Sequence, residues 1–236
     1  MPHKLKTLLE VISVAIGCFF IGIFIFIIIG EILSIENIED TLFFEPIIYL
    51  FPVSVILFLE IIYRKNSFSD IGIKSEKILK YAAIGFLIAI FIFFFIDLTT
   101  TLIEIELYPE TMEEDEEEPL IVLGFSPPSD VNLISALKWI LIIAAESFLI
   151  IAPAEELIFR GYMQRRLQNT FGLKSGLVLA SILFGVIHYD TWLTFLDAAL
   201  AGMIFGYLYQ RTGSLMPSIF AHGFGNVILY SLVLLP

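Results

Sequence analysis

The chain alternates between long apolar runs and short polar stretches. The runs fall at about 8–30, 46–63, 78–103, 133–160, 174–188, 192–210 and 215–235. Several reach the ~18 to 20 apolar residues that cross a bilayer as a helix. They lack period-2 alternation, so they predict helices rather than barrel strands. The pattern predicts an all-α, polytopic membrane protein with seven spans, or eight if the last run breaks. Residues 1–236 read as a single integral membrane domain. The first run is too long for a signal-peptide core, and no small-residue cleavage site follows it. It reads as a retained anchor.

Charge adds sidedness. Lys4 and Lys6 precede the first run, and Arg64, Lys65, Lys74 and Lys77 follow the second. Arg160, Arg165, Arg166 and Lys174 follow the fourth, and Arg211 follows the sixth. The other loops carry acids. This alternation fits seven spans in the cell membrane, with the N-terminus cytoplasmic and the C-terminus outside. The short Tyr189–Thr191 link strains the scheme, because a turn buried inside the membrane also accounts for it.

Composition narrows the function classes. The chain is 58% hydrophobic, which leaves no room for a soluble module. The net charge of −12 is concentrated, since nine of the 25 acids lie in EIELYPETMEEDEEE, residues 104–118. The acidic loop at about 104–130 reads as a solvated spacer, with capture of a cation or a basic substrate as the alternative. No basic patch exists, so nucleic-acid binding is not expected. One cysteine, Cys18, excludes an intramolecular disulfide and a Cys-based zinc site.

Ionisable side chains inside a span are costly, so each is a candidate for function. Here they are Asp97, Glu146, Glu155, Glu156, His188, Asp197 and His222, with Asn226 as a polar neighbour. Glu156 and Arg160 stand at i and i+4, which pairs them on one helical face. Glu155 lies about 100° round and is less neutralised. A like charge beside it at low dielectric opposes its ionisation, the profile of a general base. Pro153 leaves the Leu149 carbonyl without its usual helical donor, so a kink that admits water is expected. The bland reading of the pair is a helix end with solvated acids.

Two more elements share this spacing. In FGVIH, Phe184 and His188 lie on one face; alone, such a His is more often a cap or a packing residue. In HGFGN, His222 and Asn226 lie on one face, as interhelical glue or as donors to an oxyanion. Counted from the basic markers at ~1.5 Å per residue, Glu155, His188 and His222 sit at compatible depth, so one pocket is expected. Ala198, Gly202 and Gly206 form a small-xxx-small packing face. Glu146 faces away from Glu155, Asp97 snorkels from the outer end of its span, and Asp197 has no nameable partner.

Two chemistries remain open from the residues alone. Glu155 with a histidine can activate water while His222 and Asn226 hold the oxyanion. Equally, Glu155, His188 and His222 form a carboxylate-plus-two-imidazole set of the kind that binds zinc. No HExxH or GxSxG occurs.

EELIFR, FGVIH and HGFGN resemble, in order, the EExxxR, FxxxH and HxxxN motifs of the CPBP family. That family comprises type II CAAX prenyl endopeptidases, bacteriocin-processing proteins and their prokaryotic relatives, often called Abi proteins. GMIFGYLYQRTGSLMPSIFAHGFGN is similar to the family's third and fourth blocks. The resemblance covers about residues 145–235, within a motif-bearing core of about 133–235. It implies an intramembrane glutamate endopeptidase without cofactor or metal. Glu155 and His188 would activate water, and His222 and Asn226 would stabilise the oxyanion. Glu156, Arg160 and Phe184 would shape the site. The implied partners are the bilayer and a lipidated or membrane-bound CAAX-type substrate, met from the cytoplasm. A non-catalytic scaffold or immunity protein of the same family is the alternative.

Overall fold

The computed structural model describes residues 3–33, 46–74, 77–107 and 133–233. Most of the acidic loop and the last three residues lie outside them. Among the described residues the chain forms helices and no strand. We number them α1 (His3–Leu33), α2 (46–63), α3 (78–107), α4 (133–171), α5 (Leu173–Ile187), α6 (Trp192–Thr212) and α7 (Met216–Val233). Four have the length and composition to cross a membrane: His3–Ile29, Ile78–Ile103, Ile134–Phe171 and Trp192–Thr212. Ile48–Tyr63 and Leu173–Ile187 are apolar but shorter. Large apolar side chains stand on the outer surface, among them Leu79 at 87% and Leu149 at 75% exposure. Such a surface belongs in lipid, and the chain is an integral membrane protein.

The fourth run does not end at residue 160. Its helix continues to Phe171, 38 residues in all for Ile134–Phe171, or ~57 Å at an α-helical rise. That exceeds a ~30 Å hydrocarbon core, so α4 tilts or projects beyond it. It also runs through Pro153 without breaking. Wide π-helical turns occupy Ser147–Ile151 and Leu157–Gln164, on either side of Ala152–Glu156. A wider turn moves the preceding carbonyls away from the proline ring, so the strain expected as a kink is absorbed as π geometry.

The most extensive packing joins α5 to α6, α3 to α7 and α1 to α2. The start of α4 lies on α7 and its end on α1 and α5. Thr191 caps α6 in a capping box with Thr194, which closes the short turn after α5.

The basic segments gather at one end. Glu10 of α1 binds Arg64 and Arg166, and Glu60 binds Arg64, Arg165 and Asn66. The Leu215 amide donates to the Gly72 carbonyl, joining the 64–74 loop to the α6–α7 turn. Glu60 is fully buried. Its i+4 spacing to Arg64 is visible in the sequence, whereas Arg165 reaches it from another helix.

Candidate active site

Glu155 and Glu156 lie midway along α4, both buried. Arg160 donates from Nη1 to Glu156 Oε1 at 2.8 Å, and the residue is only 1% exposed. Its Nη2 reaches the Gly202 carbonyl at 3.1 Å. The cation also lies 4.5 Å from the Phe184 ring centroid and 5.3 Å from that of Phe205. Glu156 is thus neutralised, as its spacing from Arg160 predicts.

The same contact is one rung of a ladder between parallel helices. Gln164 donates to the Gly206 carbonyl at 2.9 Å, and Gln168 to Gln210 at 3.2 Å. Each rung joins residues 42 apart in the chain. The small face of α6 therefore does more than pack, since it offers backbone carbonyls to buried polar groups of α4. A Cβ on Gly206 would sit 2.5 Å from Gln164 Oε1 and from Leu177 Cδ1.

The three candidate elements meet. His188, the residue that ends α5, places Nε2 3.6 Å from Glu155 Oε2. His222 of α7 places Nε2 3.8 Å from the same oxygen and Nδ1 3.1 Å from Glu156 Oε1. Phe184 stacks obliquely on His188, with centroids 4.3 Å apart, and meets His222 edge-on. Phe205 lies flat against His222 at 5.3 Å. Asn226 lines the same cavity, of about 710 Å³, as Glu155, His188 and His222.

Partners fix the tautomers. His188 Nδ1 lies 2.8 Å from the Phe184 carbonyl oxygen, which only accepts, so Nδ1 carries a proton. His222 Nδ1 faces the Arg160-bound carboxylate of Glu156, so it too carries a proton. In the neutral rings, both Nε2 atoms then present lone pairs toward Glu155 Oε2. That oxygen is buried and has no hydrogen-bond partner. Acceptors at this separation are not bonded to one another. A group that donates, such as a water O–H, is the complementary partner for these acceptors. Among the described residues no group of three or more His, Cys, Asp or Glu is arranged to hold a metal ion.

Two residues stand differently from the sequence reading, and a third enters the site without one. Asp97 does not snorkel; it is 7% exposed and lines the cavity. Asp197 of α6 lines the same cavity, so it and Asp97 of α3 border one space. Tyr49 of α2 donates its hydroxyl to Glu155 Oε1 at 2.8 Å. Its run gives no signal for this, because the partner lies 106 residues away. Gln164, two turns on from Glu156, is a further buried polar residue, and it belongs to none of the three motifs.

Comparison with known proteins points the same way. The family model for the Rce1-like type II CAAX prenyl endopeptidases matches residues 136–228, less than half of the chain. The match supports a hydrolase of the protease class. The uncharacterized protein YpbD of Bacillus subtilis (strain 168) is 34% identical over 77 residues, covering 31% of this chain and 36% of YpbD. The chain thus spans about a third of the length of the relative it matches. No solved structure matches it significantly. The matched segment holds EELIFR, FGVIH and HGFGN, and over residues 136–228 the chain is similar to the Rce1-like type II CAAX prenyl endopeptidases, in agreement with the CPBP resemblance its motifs carry.

Proposed function

We propose that the protein is an intramembrane endopeptidase. It hydrolyses a peptide bond near the C-terminus of a membrane-associated, prenylated CAAX-type substrate. The observation that carries this reading is the unpartnered Glu155 Oε2, buried in an apolar-walled cavity and facing two imidazole nitrogens. Glu155 Oε2 takes a proton from a water that also hydrogen-bonds His188 Nε2. The hydroxide adds to the scissile carbonyl. Asn226 donates to the oxyanion from an amide that needs no change of protonation, whereas His222 donates from Nε2 only as an imidazolium. The Glu155 carboxyl then returns its proton to the leaving nitrogen and the C–N bond breaks, giving a carboxyl and an amine.

The cavity is lined by Ile12, Phe19 and Ile23 of α1 and by Ile187 of α5. An apolar wall of this kind suits a lipidated tail that partitions into the bilayer. The grouping of basic segments at one end supports seven spans, with the N-terminus and the substrate opening on the cytoplasmic side.

The test is cleavage of a prenylated CAAX peptide by the purified protein in detergent, read by mass spectrometry. Release of the last three residues, unaffected by a strong zinc chelator, is the expected result. Loss of cleavage with chelator favours the metal-dependent reading, for which Glu155, His188 and His222 supply suitable ligand chemistry. No cleavage by folded protein contradicts the CAAX reading and favours a binding role.

A further inference from the structure

Tyr49 lies outside everything that carries the resemblance. It stands on α2, far upstream of the family match at residues 136–228. Yet its ring lines the same cavity as Glu155, and its hydroxyl donates to Glu155 Oε1 at 2.8 Å. The ring is held edge-on by Phe19 of α1, with centroids 6.0 Å apart.

This contact makes the two oxygens of Glu155 unequal. Rotation about the last torsion of a glutamate is broad and roughly two-fold, so a free carboxylate exchanges its oxygens readily. Here Oε1 is engaged by a phenol, while Oε2 faces His188 and His222 without a hydrogen bond. A carboxylate left to itself would turn to satisfy either oxygen, and its base would lose a fixed direction.

We propose that Tyr49 is a positioning residue, which pins Glu155 through Oε1 and so reserves Oε2 for the proton taken from water. This rests on the endopeptidase reading of the site. The hydroxyl keeps donating to Oε1 when Oε2 becomes protonated, so it is not consumed in the cycle. The N-terminal half of the chain therefore contributes a side chain to the site, and the motif-bearing core alone is incomplete.

The experiment combines kinetics with a stability cycle on the full-length protein in detergent. Tyr49→Phe removes only the hydroxyl. With a cleaved prenylated peptide, kcat is expected to fall by roughly tenfold while KM stays within about twofold. A merely structural tyrosine would not separate the two constants. An unchanged kcat, in a protein whose cleavage needs Glu155, overturns the proposal.

Thermal unfolding of wild type, Tyr49→Phe, Glu155→Ala and the double variant tests the contact without turnover. Tyr49→Phe is expected to lower the midpoint more in wild type than in Glu155→Ala, where the hydroxyl has already lost that acceptor. Equal shifts in both backgrounds overturn the pinning. If no peptide is cleaved, the endopeptidase reading fails, and the cycle still decides whether Tyr49 holds Glu155.

Discussion

At the scale of single residues, the site separates charge from reactivity. Glu156 shares its Oε1 with Arg160 and His222, so its charge is matched within the fold. Glu155 has no such cation, and one of its oxygens is left without a partner. Arg160→Ala removes one member of a fully buried ion pair. It should cost ~3–5 kcal/mol, seen as a lowered unfolding midpoint in detergent. Arg160→Lys should recover part of this, because one ammonium cannot span both Glu156 and the Gly202 carbonyl as the guanidinium fork does. Asn226→Ala should lower kcat by roughly a hundredfold with little change in KM, as for loss of an oxyanion donor; an unchanged kcat removes Asn226 from that role. The pairing of Glu156 with Arg160 was legible because both lie on one helix at i and i+4. Phe184 and His188 were legible for the same reason. Tyr49 was not, since a contact across 106 residues leaves no local periodicity to read.

Helix against helix, backbone closeness decides. The sequence marks Ala198, Gly202 and Gly206 as a close-packing face, and α6 uses it as one. Which groups approach was hidden, because Arg160 and Gln164 lie on a different helix. Two glycines should respond differently to alanine. At Gly206 the new methyl meets the flexible ends of Gln164 and Leu177, so the side chains shift and the Gln164 hydrogen bond is lost, at ~1–3 kcal/mol. At Gly85 of α3 it meets the Phe220 Cβ at 2.5 Å and the Ala221 backbone nitrogen at 2.7 Å. Backbone cannot swing aside, so α3 and α7 must part, and His222 follows Ala221 directly. Gly85→Ala should therefore lower the unfolding midpoint more than Gly206→Ala and also depress cleavage. Equal effects would show that the α3–α7 crossing yields easily. Pro153 was visible in the sequence, but its consequence was not, because π turns depend on what the neighbouring helices can accept.

For the whole molecule, helix class and membrane setting followed from run length and apolar composition alone. The length of α4 did not, since Arg160, Arg165 and Arg166 read as the end of a span. They are instead paired with Glu156, Glu60 and Glu10. Pairing of charge within the fold lets the helix run on past the polar stretch. The same ion pairs bring the N-terminal end of α1 beside the ends of α2 and α4, which is the arrangement that alternating loop charge requires. In a Cys18→Ser background, single cysteines at Lys4 and Lys74 should both label from the cytoplasmic side of oriented vesicles. Labelling from opposite sides would contradict the proposed sidedness.

The most direct measurement compares cleavage of a prenylated CAAX peptide by wild type, Glu155→Ala and His188→Ala, each confirmed folded. The account expects turnover by wild type and none above background by either variant. Turnover by folded Glu155→Ala at the wild-type rate would contradict it, because the water would then be activated without the carboxylate assigned that role.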